Sequence, residues 1–198
     1  MPTKNQIIII FGVLCVVALG LGYWDGMPEK DSEERAEVVA PTINPVIEKV
    51  IREGLKKPEG ELTNADLEKV RELDLSKNEL TDVKGLEKLT KLVYLNLAFN
   101  QLTDVKGLEE LAQLRILWLN NNKLTNVKGL EKLMNLEQLN LAFNQLTNVK
   151  GLEKCTQLTW VGLDENQLTE VPKGLEKLTK LAYLNLERNQ LTDVKGLE

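Results

Sequence analysis

Six asparagines, Asn78, Asn100, Asn122, Asn144, Asn166 and Asn189, follow a Leu-x-Leu (once Val-x-Leu) at intervals of 22, 22, 22, 22 and 23 residues. This period constrains the fold more than any other feature, because a unit this short cannot bury its apolar face alone and must stack on its neighbours. Around each asparagine runs L-x-x-L-x-L-x-x-N-x-L, clearest in LVYLNLAFNQL at Leu92–Leu102. In x-L-x-L-x the alternation puts both leucines on one side of a short strand and the x residues on the other. Strands from successive units therefore lie side by side over a shared leucine core. The asparagine sits where the chain turns out of the strand. Its amide both donates and accepts, so a column of them is suited to satisfy backbone groups that the turn would leave unpaired.

The segment after each asparagine reads L-T-D/N-V-x-G-L-E-x-L and carries the chain back. Asp82, Asp104, Asn126, Asn148 and Asp193 are placed there to cap a tight turn or a short 3-10 piece. Gly85, Gly107, Gly129, Gly151, Gly174 and Gly196 suit a turn that must stay narrow. Pro172 is one inserted residue and accounts for the single 23-residue spacing; it falls where no ladder bond is needed from its nitrogen. Cys155 stands where the other units have Leu89, Leu111, Leu133 and Leu178. Two readings follow, a small buried hydrophobe or a reactive thiol.

This is the signature of leucine-rich repeats, and it predicts an α/β repeat fold. The expected architecture is a solenoid of about six repeats (71–198) with a curved parallel sheet, an N-terminal helical cap (44–70) and a separate N-terminal membrane helix. In the cap, NPVIEKVIREGLKK places Val46, Ile47, Val50, Ile51 and Leu55 on one helical face, and Thr63-x-x-Asp66 opens a second short helix. The cap followed by LT-x-x-DL-x-x-V-x-x-L-x-L, together with the LTDV-x-GLEKLTKL repeats, resembles the internalin-like bacterial leucine-rich repeat proteins. That resemblance covers roughly 44–198. It implies a surface-exposed bacterial protein that binds other proteins through the concave sheet. Within these residues there is no immunoglobulin-like module after the repeats and no sorting motif, so attachment is expected at the N-terminus.

There, Ile7–Trp24 runs for 18 residues without a charge, preceded by Lys4 and followed by an acidic linker (25–43) that includes Asp25, Glu29, Asp31, Glu33, Glu34 and Glu37. An uncharged run of this length is a membrane anchor or a signal segment (1–24), and the flanking charges favour a cytoplasmic N-terminus with the repeats outside. Cleavage near Gly20 or Gly22, giving a secreted chain, is the alternative. At the other end the chain stops inside a repeat, LTDVKGLE, which leads us to expect a fragment of something longer.

Composition narrows the chemistry. With no histidine and two cysteines in 198 residues, no His-based triad, His metal site or Cys cluster can be built. A net charge of −5 with scattered lysines argues against nucleic acid. No phosphate-cradling loop occurs. We therefore expect no enzyme, no cofactor and no small-molecule substrate; Asp164 and Glu187 are carboxylates on one face, but nothing else in the sequence suggests a cleft.

The variable positions carry the functional reading. Down the stack, the first outward column is Glu72, Tyr94, Ile116, Gln138, Trp160 and Tyr183. The second is Asp74, Asn96, Trp118, Asn140, Gly162 and Asn185, and the third is Ser76, Ala98, Asn120, Ala142, Asp164 and Glu187. Four of the chain's 9 aromatics fall here, and exposed Trp and Tyr dominate binding hot spots. Tyr94, Asn96, Ile116, Trp118, Asn120, Gln138, Asn140, Trp160, Asp164, Tyr183 and Asn185 are thus the candidate protein-binding residues. Cross-strand stiffening is the competing role for the aromatics. Phe99 and Phe143 are expected to wedge against the turn column, and the recurring Lys and Glu of KGLEKL to form a solvated convex face. The function expected is a non-enzymatic protein-binding module facing outward from a bacterial membrane. A self-associating envelope rod and an intracellular regulator docking on an enzyme are the alternatives.

Overall fold

A computed structural model describes residues 8–10, 13–15, 43–193 and 195. Two units are distinguished, Met1–Val38 and Val39–Glu198. The second holds six parallel strands in sequence order: β3 (Glu72–Asp74), β4 (Tyr94–Asn96), β5 (Ile116–Trp118), β6 (Gln138–Asn140), β7 (Trp160–Gly162) and β8 (Tyr183–Asn185). The ladders are in register, with Leu73, Leu95, Leu117, Leu139, Val161 and Leu184 opposite one another. These residues and the following Leu75, Leu97, Leu119, Leu141 and Leu163 turn inward, and the leucines of β4–β6 are fully buried. Each contributes roughly 1.5–3 kcal/mol.

The return segments carry single 3-10 turns at Leu86–Lys88, Leu108–Glu110, Leu130–Lys132, Leu152–Lys154 and Leu175–Lys177. As expected, Asp82, Asp104, Asn126 and Asn148 each accept from the backbone N–H two residues on. The glycines before the turns have φ of 90 to 107°, a region costly for any side chain. The glutamates of KGLE are not merely solvated, which corrects the expectation for that face. Glu87, Glu109, Glu131 and Glu153 each accept from the N–H of the glycine two residues earlier, at 2.5–2.8 Å. Their acceptor role holds Glu109, Glu131 and Glu153 below the ordinary carboxylate range: their own N–H contributes most, with the glycine N–H and nearby lysines adding to it.

The cap forms as the sequence suggests. Helix α1 (Pro45–Leu55) starts on Asn44, whose side chain accepts from Val46 N–H, and buries Ile47 and Ile51. Helix α2 (Asn64–Leu67) opens with the Thr63–Asp66 capping box. The core begins at Ile43, at the end of the expected linker. Asn44 N–H donates to Lys84 O at 3.0 Å, and a Cβ on Gly85 would meet Ile43 Cα at 2.8 Å. The first return segment and the cap are therefore packed backbone to backbone.

The asparagine column bridges consecutive repeats. Asn144 Oδ1 accepts from Leu124 N–H of the preceding repeat at 2.9 Å, while Nδ2 donates to Leu119 O of that repeat and Leu141 O of its own, both at 3.0 Å. Asn100, Asn122, Asn166 and Asn189 repeat the arrangement. Asn100, Asn122, Asn144 and Asn166 are buried.

Pro172 is absorbed in the return segment, since Val161 still pairs with Leu184. Its repeat loses the Asx turn from both sides at once. Glu170 replaces the short acceptor and instead pairs with Lys173 at 3.5 Å, and Pro172 has no N–H to donate. An open cleft of about 640 Å³ lies between this segment and Thr147–Lys150. Cys155 is fully buried, its Sγ lies 3.3 Å from Leu130 O as donor, and burial raises its pKa to about 11. It packs as a small hydrophobe and is not a reactive thiol.

In the first unit Ile8–Ile10 (β1) pairs antiparallel with Val13–Cys15 (β2). At these six residues the backbone is extended, where the apolar run led us to expect helix; β1 is three isoleucines, whose β-branched side chains suit a strand. The rest of Ile7–Trp24 and the linker up to Thr42 lie outside the described residues. Among the described residues no helix is long and apolar enough to cross a membrane.

Replacing Asn144 by Ala strands the Leu124 N–H and withdraws a donor from two carbonyls. We expect a loss of about 3 kcal/mol in urea unfolding, and less than about 0.5 kcal/mol for the exposed Gln145→Ala.

Candidate protein-binding face

The side chains at the outward positions of β3–β8 share one face of the sheet by strand alternation, and the register puts them in straight columns. Two aromatic pairs form on it. Tyr94 on β4 meets Trp118 on β5 edge-to-face, with centroids 6.0 Å apart and planes at 67°. Trp160 on β7 lies flat on Tyr183 of β8, at 5.2 Å and 3°. Trp118 and Tyr183 remain 38% and 46% exposed, so contact within the pairs leaves ring area open. Between the pairs runs β6 with Gln138 and Asn140, both uncharged.

Gly162 explains how Trp160 lies as it does. A Cβ at Gly162 would stand 2.8 Å from the indole and 3.0 Å from Asn140 Oδ1. The missing side chain is the space into which the tryptophan folds. Ile116, beside Tyr94 in the first column, is half-buried.

The second column divides by function. Asn96, Asn140, Asn185 and Asp74 accept from the N–H two residues on, at 2.9–3.1 Å. Asn96 also donates to Asp74 Oδ2 at 3.2 Å and is buried. The three asparagines, expected as partner contacts, have their side-chain oxygens committed to the chain's own turn. The signal was present in the sequence, as Asp or Asn two residues ahead of the turn in four of the six repeats. In the third column Ala98 and Ala142 are buried, while Asp164 stays half-exposed. Asn120 Oδ1 is the one buried side-chain oxygen that accepts no hydrogen bond among the described residues. On the charged side of the face, burial and then the Asp74 and Glu72 charges push the Tyr94 phenol above its ordinary value.

Comparison with known proteins agrees with the repeat fold. A family described as leucine-rich repeats in two copies matches residues 68–110 and 112–154. The chain is similar to an internalin, InlF, of Listeria monocytogenes, at 29% identity and a TM-score of 0.72, covering 76% of this chain and 45% of that one. It is also similar to internalin C2 of the same organism, at 25% identity and a TM-score of 0.61, covering 78% of each chain. The chain is thus similar to internalins, and its residues 68–154 match leucine-rich repeats. A third likeness is to a leucine-rich repeat protein of Leptospira interrogans, with 35% identity, a TM-score of 0.62, and coverage of 65% and 34% of the two chains. A search of curated proteins found no match.

One feature of this internalin-like chain escaped the sequence reading. Phe99 and Phe143, expected to wedge against the turn column, are 51% and 46% exposed. They sit at φ of 57° and 55°, in the left-handed position that precedes every ladder asparagine. Lys77, Asn121, Glu165 and Arg188 occupy the same place, so the position is set by backbone conformation and accepts any side chain that points outward. Lys77 Nζ lies 5.5 Å from the Phe99 ring centre. Asparagine tolerates this region better than phenylalanine. Phe143→Asn is expected to raise stability by about 0.5–1 kcal/mol in urea unfolding, whereas a wedge would make it destabilising.

Proposed function

We propose that the open sheet face binds a protein partner, and that Tyr94, Trp118, Trp160 and Tyr183 are its anchors. One observation carries the reading. Two contacting aromatic pairs keep exposed ring area on a face whose other side is a nearly invariant leucine core. A sheet built on a buried asparagine ladder holds these rings in place before binding, so little ordering entropy is lost on association. Ile116, Gln138 and Asp164 complete the proposed contact area. The internalin likeness supports a protein ligand over a small molecule, because interaction modules are what such repeat folds serve.

The test is selection of binders from a displayed protein library on the full chain. Selected binders are expected to lose at least about 2 kcal/mol on Trp118→Ala/Trp160→Ala, with the variant's melting curve unchanged. Binders indifferent to both substitutions would place the interaction elsewhere.

We also propose that the module is held at a bacterial membrane, facing away from the cytoplasm. The support is the uncharged run Ile7–Trp24 with Lys4 before it and an acidic stretch after it. Anchoring by helix would require the β1–β2 pairing to give way. Protease treatment of intact cells, with the outer membrane permeabilised where there is one, is expected to digest the repeats and spare a cytoplasmic control. Protected repeats would reverse the topology.

A further inference from the structure

We infer that the partner of the open face is a basic protein segment, whose Lys or Arg side chains stack on the two aromatic pairs and meet the carboxylates beside them. This rests on the face being the binding site. The outward columns contain four charged residues, Glu72, Asp74, Asp164 and Glu187, and all are acidic. No lysine or arginine occupies any of those positions, although the chain carries 25 of them, recurring in the return segments as Lys84, Lys106, Lys128 and Lys150. The columns therefore have one sign of charge.

The rims carry both signs, with Arg71 and Lys77 flanking the acids of β3 and Arg188 close to Asp164 and Glu187, so it is the columns alone that are purely acidic. Arg115, just before β5, is held bidentately by Glu137 at 2.8 Å, and Arg188 pairs with Glu165. Asp74 is engaged by Ser76 N–H and by Asn96. Among the described residues, no hydrogen bond reaches the carboxylates of Glu72, Asp164 or Glu187, although the carbonyls of Asp164 and Glu187 accept in the turns.

The placement matters as much as the count. Glu72 and Asp74 on β3 adjoin the strand of Tyr94; Asp164 and Glu187 follow the strands of Trp160 and Tyr183. Each aromatic pair thus has acids next to it, with the uncharged β6 between. Aromatic faces beside carboxylates are the surroundings that hold a guanidinium or ammonium, by cation–π attraction and by charge-assisted hydrogen bonds. An acidic segment would meet four like charges, and a purely apolar one would desolvate carboxylates without pairing them. The two foci lie about three strand spacings apart, roughly 14 Å, so the segment carries basic residues at about that separation.

The probe is a glycine-spaced hexa-arginine peptide, compared by calorimetry with its citrulline counterpart, which keeps shape and loses charge. The full chain is expected to bind the arginine peptide at least tenfold more tightly at about 150 mM salt. Glu72→Gln/Asp164→Asn/Glu187→Gln should lose at least tenfold. Glu59→Gln/Glu110→Gln/Glu176→Gln, which removes the same charge from exposed sites outside the columns, should lose less than about twofold. Equal losses in the two variants would reduce the effect to general attraction by the chain's net charge and overturn the inference. Arginine and citrulline peptides binding alike, or neither binding, would also overturn it. If library-selected binders still needed Trp118 and Trp160 in that case, the face would stand as a binding site with a partner of other chemistry. If they did not, both readings would fall.

Discussion

The buried asparagine is the interaction on which the rest of this molecule depends. A chain that leaves a strand and turns back inside its own stack leaves N–H and C=O groups away from water, and each such group costs about 1–3 kcal/mol if unpaired. The side-chain amide supplies one acceptor and two donors at one point, and in this stack it spends them on two repeats at once. That dual reach explains why the period is strict. A residue added between strand and asparagine would break the bridge, whereas Pro172, added in the return segment, leaves the β7–β8 register intact.

The same economy governs which face is free to vary. Inside, the leucine positions tolerate only close substitutes such as Val161 and Cys155. On the return side, short acceptors and glycines hold the turns, and the glutamates close a second set of backbone donors. The outer sheet face is where no backbone need dictates the side chain in the first column, and there the rings collect. The second column is mixed. Where it holds Asp or Asn it serves the turn, and where it holds Trp118 or Gly162 it serves the aromatic pairs. One position thus switches between structure and recognition from repeat to repeat.

Rigidity ties these observations to function. A face built from three-residue strands, each hydrogen-bonded to its neighbours and fixed at its exit by an asparagine amide that is buried in four of the six repeats, has few alternative arrangements. Rings set on such a frame lose little freedom when a partner arrives. The cost is limited adaptability, so specificity must come from which rings and charges stand where. In this chain that means two aromatic foci, an uncharged strand between them and acids at both.

The repeat period, the leucine core, the asparagine role and the cap helices were all legible in the residues, because each follows from local spacing and from what a side chain can donate, accept or bury; burial in the fold chose between the two readings of Cys155. The outward register was legible too, since strand alternation fixes it. Tertiary structure alone decided what the outward residues do with one another. No spacing rule reveals that Trp160 folds over Gly162 onto Tyr183, or that Tyr94 reaches diagonally to Trp118, because those contacts depend on neighbouring strands. Nor does it reveal that Phe99 and Phe143 stand outside in left-handed backbone. The amino-acid sequence by itself determined a stacked repeat with one variable face; the packing between repeats decided which side chains on that face are occupied by the fold and which are left open.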